Sequence, residues 1–199
     1  MFGFITGLVA TCAPILKAIS VAATVVTAVA HAVTAISHAF GLTKSTNAEE
    51  LGEKALQAEE QNIRPEDFQS YEDYVKEVEA INLDPERSSR WTKEQKEAKA
   101  AEVGTMLLAE RFGQNAVTLI GDVAKHPDFF TPQRATHYLQ EAQGQNIDLT
   151  KISDLLNNKT TDLSSVIEAK DLMYDIEKSL NPNLSMNQHN DNIMELRAR

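Results

Sequence analysis

The chain has 199 residues with 19 Lys and Arg against 29 Asp and Glu, a formal net charge of −10 with histidine neutral. An acidic chain without a basic cluster repels phosphate, which argues against a nucleic-acid partner. The single cysteine, Cys12, rules out a disulfide framework within one molecule and reads as a small buried apolar residue rather than a nucleophile.

Charge divides the chain sharply. Residues 1–42 contain one formal charge, Lys17, whereas residues 43–199 hold 18 basic against 29 acidic residues, a net of −11. The expected fold is all-α, in four parts. A long hydrophobic N-terminal helix (1–42) would act as a transmembrane or oligomerising arm. A hinge (43–47), a small acidic multi-helix domain (48–182) and a polar tail (183–199) would follow.

Within the arm, apolar residues recur at alternating spacings of four and three from Met1, Ile5, Leu8 and Cys12 onward. The series continues through Ile15, Ile19, Ala22, Val26, Val29, Val33, Ile36 and Phe40, the seam of a continuous helix or coiled coil. A second series, Lys17, Ser20, Thr24, Thr27, His31, Thr34 and His38, keeps the same rhythm. Each member follows a seam position by five residues, so the stripes lie about 140° apart at 100° per residue. Gly3, Gly7 and Pro14 predict a short kinked helix to Ala13 and a long one over 14–40, with Pro14 at its first position and Gly41 as its stop. The alternation is hard to obtain from the period of two that a strand would need.

Between the stripes stand mostly Ala and Val, a surface that water solvates poorly. A bilayer, a bundle of identical helices or the interior of a larger assembly would cover it. Residues 18–37 form a twenty-residue run without formal charge when His31 is neutral, about the length that crosses a hydrocarbon core. Its alanines and threonines make insertion marginal for one helix and better for several that share their polar stripes. No Lys or Arg precedes the apolar run, which also exceeds a normal signal-peptide core, so a secretory signal is not expected.

The acidic part reads as successive helices. Thr46-x-x-Glu49 predicts a capping box opening a helix to about Gln61. Tyr71, Tyr74, Val75, Val78 and Ile81 form the next helical face, closed by Asp84-Pro85 and followed by a charged loop over 85–90. Thr92-x-x-Gln95 is a second capping box, opening a helix that starts polar and turns apolar at Val103, Met106, Leu107 and Phe112 before Gly113. Asn115 is expected to cap a short helix ended by His126-Pro127, with Phe129 and Phe130 as core anchors at the turn. Thr131-Pro132 opens a helix to about Gln143, and Asp148 caps a short one holding Leu149, Ile152, Leu155 and Leu156. Thr161 starts the last substantial helix, with Leu163, Val166, Ile167, Met173, Ile176 and Leu180 expected inward and Asn181-Pro182-Asn183 as its stop. The tail is expected to fray or to end in a short helix over 193–196.

No catalytic, cofactor or metal site is expected. The five histidines, at 31, 38, 126, 137 and 189, have no partner at metal-ligand spacing. His31 and His38 share a face but lie about 10 Å apart along the axis, so one molecule cannot chelate a metal with both. The carboxylate pairs Glu49-Glu50, Glu59-Glu60 and Glu66-Asp67 suit a solvated acidic helix, and no phosphate loop, nucleophile elbow or His-Glu-x-x-His is present.

These features imply a non-enzymatic helical protein that inserts in a membrane, or forms a pore, by self-association through its N-terminal helix. The polar stripe would then line the pore or the helix contacts, and the seam would pack. The alternative is a structural subunit whose arm packs inside a protein tube or hub of a virion or secretion apparatus without meeting lipid. In layout, an apolar N-terminal arm before a helical remainder, the chain is similar to internal ejection proteins of short-tailed phages and to hydrophobic effectors of injection machines. That likeness of layout implies a place at a membrane or within such an assembly, with copies of itself as partners, and carries over no residues.

Overall fold

A computed structural model describes the backbone of residues 2–20 and 22–198 and the side chains of residues 6–20 and 22–198. Among these, eleven α-helices and one 3-10 turn form the fold, with no strand. They are α1 (Phe2–Ile19), α2 (Ala23–Ala39), α3 (Ala48–Glu60), the 3-10 turn (Pro65–Asp67), α4 (Tyr71–Ala80), α5 (Pro85–Ser88) and α6 (Lys93–Phe112). There follow α7 (Gln114–Lys125), α8 (Pro132–Gln145), α9 (Thr150–Leu156), α10 (Leu163–Leu180) and α11 (Met186–Ala198). The chain divides into two compact units, residues 1–136 and 137–199, and passes from one to the other within α8. Arm, hinge and most of the acidic segment therefore share the first unit.

The first unit is built around α6. Its opening turns are polar and closed by the Thr92–Gln95 capping box, in which Gln95 N–H donates to Thr92 Oγ1 and Thr92 N–H donates to Gln95 Oε1. From Ala100 to Ala109 every residue except Glu102 is buried. A helix apolar on all sides must be surrounded, and α1, α2, α3, α4 and α7 all pack on it. Two glycines set how closely. A Cβ on Gly104 would lie 2.3 Å from Val33 Cγ2 of α2, and one on Gly52 of α3 would lie 1.8 Å from the Lys96 carbonyl oxygen. Gly113, at φ +60°, then turns the chain from α6 into α7.

The continuous helix expected over 14–40 does not form. Pro14 lies inside α1, which runs to Ile19, and the helix restarts at Ala23 after an extended Ala22 (φ −140°, ψ 133°). Both α1 and α2 pack on α6 and on α7, and a straight rod could not bring both apolar stripes to the same pair of helices. Burying two stripes outweighs the hydrogen bond that Pro14 removes. Met1 and the side chain of Ile5 lie outside the described residues.

The segment between α2 and α3 is tied to α4 through Glu79. Its carboxylate accepts from the Thr43 hydroxyl and from the backbone N–H groups of Lys44 and Ser45, both at 3.1 Å. Burial opposes the ionisation of Glu79, but the Thr43 and Ser45 hydrogen bonds outweigh it and hold the carboxyl below its ordinary value. Asn47, not Thr46, caps α3, its Oδ1 accepting from Glu49 N–H at 2.8 Å. Asp84 likewise caps a short helix, α5, in the stretch expected as loop, and α7 opens directly after Gly113 without a side-chain cap, so Asn115 is not its cap.

The second unit holds the larger part of α8 with α9, α10 and α11. Tyr138 donates to the buried Glu177 at 2.8 Å, and His189 Nε2 lies 3.0 Å from the Lys170 carbonyl. Asp162, not Thr161, caps α10 by accepting from Ser165 N–H at 2.8 Å. The inward face of α10 is narrower than its pattern implies: Met173 and Ile176 are buried, whereas Leu163 is 75% exposed, Ile167 51% and Leu180 40%. The tail is a full helix, α11, not a fragment over 193–196. Ser185 and Gln188 form its box, and His189, Ile193 and Leu196 are buried along one face.

Candidate functional site

The polar stripe of the arm meets charge at one point, Glu97 of α6. Its side chain is 2% exposed. Thr27 Oγ1 donates to Glu97 Oε2 at 2.6 Å, and His31 Nε2 lies 3.4 Å from Glu97 Oε1. Lys93, one turn earlier on α6, reaches Glu97 Oε1 at 3.7 Å and Glu49 of α3 at 3.1 Å. Glu49, then Glu97, stabilises the Lys93 ammonium and raises its pKa. The cluster thus joins α2, α6 and α3 at one end of the α6 bundle. A lone carboxylate with one oxygen hydrogen-bonded to Thr27 and the other, though without a hydrogen bond, close to His31 and Lys93 is suited to holding helices together; general acid-base work asks for two groups whose pKa values are pushed apart.

The rest of the stripe goes to different places. Lys17, Ser20, Thr24 and His38 are exposed, and Ser20 Oγ bonds back to the Lys17 carbonyl at 2.9 Å. His38 Nδ1 lies 3.3 Å from the Thr43 carbonyl. Thr34 is buried, and its hydroxyl has no hydrogen-bond partner among the described residues. One chain therefore brings Thr27 and His31 together and leaves Lys17, Ser20, Thr24, Thr34 and His38 apart. Of the seam, Ile19, Val29, Val33 and Ile36 are buried, Ile15, Val26 and Phe40 are half-buried, and Ala22 is exposed. Phe40 rests against Phe112 of α6 at 4.6 Å between ring centroids.

Glu97 was missed as a site, though its signal was present. It lies three and four residues before Ala100 and Ala101, on the spacing that continues through Gly104 and Leu108, so an acid stood on the core stripe.

A second grouping that spacing could not reveal lies in the second unit. His137 Nε2 is 2.6 Å from Ser179 Oγ and 3.8 Å from Glu141 Oε1. A nucleophilic triad needs the carboxylate on the other ring nitrogen; here both partners face Nε2. Ser179 Oγ also lies 2.8 Å from the Ile176 carbonyl, which competes with the imidazole for its one hydrogen. Among the described residues no group of three or more His, Cys, Asp or Glu is placed to hold a metal, and no helix is long and apolar enough to cross a membrane.

No protein-family model, curated protein or solved structure matches the chain.

Proposed function

We propose that this protein is a non-enzymatic helical subunit that self-associates within a larger assembly through the outer surface of its N-terminal arm, above all α1. The reading is carried by how the arm is buried. The seam of α2 is covered by α6 of the same chain, while α1 turns Leu8, Cys12 and Ile19 inward and leaves Ala10, Ala13, Pro14 and Ala18 outward. Lys17 is the one formal charge on that surface. Small outward side chains allow close approach of a second helix, and a charge-poor surface loses little on leaving water. Sedimentation of the full chain is expected to give an oligomer that Ala10→Asp with Ala13→Asp converts to a monomer of unchanged helicity. A native monomer, or an oligomer indifferent to both aspartates, contradicts the reading.

Membrane insertion by the arm is the second reading, favoured by the uncharged run over 18–37. It requires α2 to leave α6, breaking the Thr27–Glu97 hydrogen bond and exposing Val29, Val33 and Ile36, so a pore lined by the stripe forms at the expense of the first unit's core. Liposomes that pellet the full chain and leak dye would carry this reading; intact, unbound liposomes would end it.

A further inference from the structure

Beside α1, and apart from its outer surface, the first unit holds a cleft of about 440 Å³ bounded by α1, α3, the 3-10 turn, α4 and α6. That volume lies within the range of small-ligand sites. Val9, Leu16 and Met106 supply an apolar wall. The polar wall has two parts. One is the pair Tyr71 and Tyr74, each 1% exposed, with ring centroids 5.2 Å apart at 61°. Neither hydroxyl is hydrogen-bonded among the described residues, and neither oxygen is closed off from solvent, so both open onto the cleft with their donor and acceptor capacity unused.

The other part is acidic. Lys99 ties Glu59 and Glu102 together, pairing with Glu59 and lying 3.1 Å from Glu102. Those carboxylates stay about half exposed, 51% and 46%, so each keeps oxygen lone pairs free for a further donor. Glu66 adds a third acid at the mouth. Against these acids stand Lys99, already paired, and Arg64, whose guanidinium is turned to Asn62 Oδ1 at 3.4 Å. Burial, the neighbouring Tyr74 and then Glu102 keep Tyr71 protonated far beyond neutral pH. The phenol oxygens are therefore neutral acceptors, in the reach of carboxylates that repel any anion brought there.

We infer that this cleft binds an organic cation, an alkyl- or arylammonium group on an apolar body. The ammonium takes the free lone pairs of Glu59, Glu102 and the tyrosine hydroxyls, and the body lies against Val9, Leu16 and Met106. A net acidic, partly desolvated wall discriminates against anions and gains from a cation more than an open surface does. The inference stands independently of self-association, because Val9 and Leu16 flank the inward face of α1 and Ala10 and Ala13 do not line the cleft.

The test is a titration of the full chain with hexylammonium, hexanol and hexanoate, read by calorimetry and by the Met106 methyl resonance. Saturable binding of hexylammonium about tenfold or more tighter than hexanol, with hexanoate weakest, is expected, since one charge-assisted hydrogen bond is worth about that factor. Glu102→Gln keeps the shape and should remove about tenfold of the affinity for hexylammonium while leaving hexanol unchanged. Tyr74→Phe, which keeps the ring, should weaken the cation alone. A lysine-bearing peptide amide that binds tighter than hexylammonium assigns the cation to a partner's side chain, and the reverse order assigns it to a free amine. Equal binding of all three probes, preference for hexanoate, no saturation, or a Glu102→Gln protein that folds and binds as before would overturn the inference.

Discussion

Helices α6 and α10 are of similar length, 20 and 18 residues, and both carry apolar residues at three- and four-residue spacing, yet one is enclosed and the other is half bare. The difference lies in what surrounds them. Around α6 stand five helices, of which α3 is brought to backbone contact by Gly52 and α2 seats the Val33 side chain on Gly104. Within its own unit α10 packs against α9 and α11 and is reached from α8 by the side chains of His137 and Tyr138; α9, with seven residues, spans about 10 Å of a helix about 27 Å long. A periodic stripe shows which face is able to be buried. Whether it is buried depends on the reach of neighbours that the stripe itself does not encode.

The comparison breaks most readily at the glycines. In Gly52→Ala the new methyl meets the Lys96 carbonyl, a backbone atom that cannot swing aside, so a loss of about 3 kcal/mol is expected in thermal or urea unfolding of the first unit. Leu163→Ser in α10 should stay within about 0.5 kcal/mol, as for other surface changes. Equal effects would mean that α6 is no more tightly held than α10.

Next in size is Glu97. Glu97→Ala leaves Thr27 without its buried acceptor and is expected to cost about 2 kcal/mol. Glu97→Gln, which keeps an acceptor for Thr27, should cost less. Identical losses in a urea titration of the two variants would show that the carboxylate's shape and hydrogen bonds are irrelevant.

A gain is expected where the α2–α6 contact carries unpaired hydroxyls. Thr34 and Thr105 are fully buried with no hydrogen-bond partner among the described residues. Thr105→Val keeps the shape and removes a group that is poorly served away from water, so stability should rise by about 1 kcal/mol. A fall in melting temperature would mean that the hydroxyl is satisfied in solution.

The smallest effect belongs to pH in the second unit. The N–H of Ser165, then the Ser164 hydroxyl, lowers the Asp162 carboxyl to about 2. A depressed carboxylate stabilises the fold above its unfolded value of 3.8, and the contribution is lost as pH falls from there toward about 2. Asp162→Asn should flatten that part of an acid titration monitored in α10. An unchanged profile would show that the Asp162 cap contributes nothing to the stability of α10.

Much of this was legible in the residues. All-helical character, the Thr92–Gln95 box, the Gly113 stop and Asn181-Pro182 as the end of α10 depend on local chemistry, and local chemistry is what sequence carries. The break between α1 and α2 was not legible, because the seam passes through Ser20 to Ala22 without losing its rhythm; the need to meet both α6 and α7 made the bend. The Ser185–Gln188 box was legible, as a Ser-x-x-Gln spacing inside an Asn-rich tail whose composition favours fraying. The role of Glu97 depended on Thr27 and His31, which lie 70 and 66 residues earlier in the chain. The cleft inferred to hold a cation joins residues of five elements, a juxtaposition that no spacing announces.

Helix α2 belongs to the core of the first unit and is no detachable arm. Amide hydrogen exchange on the full chain tests this most directly, by comparing residues 29–37 of α2 with residues 100–109 of α6. Global unfolding sets the slowest exchange, and elements that open separately exchange faster. Helix α2 is expected to be protected to the same degree as α6, and the two to lose protection together in rising urea. Fast exchange across α2 while α6 stays protected would contradict it.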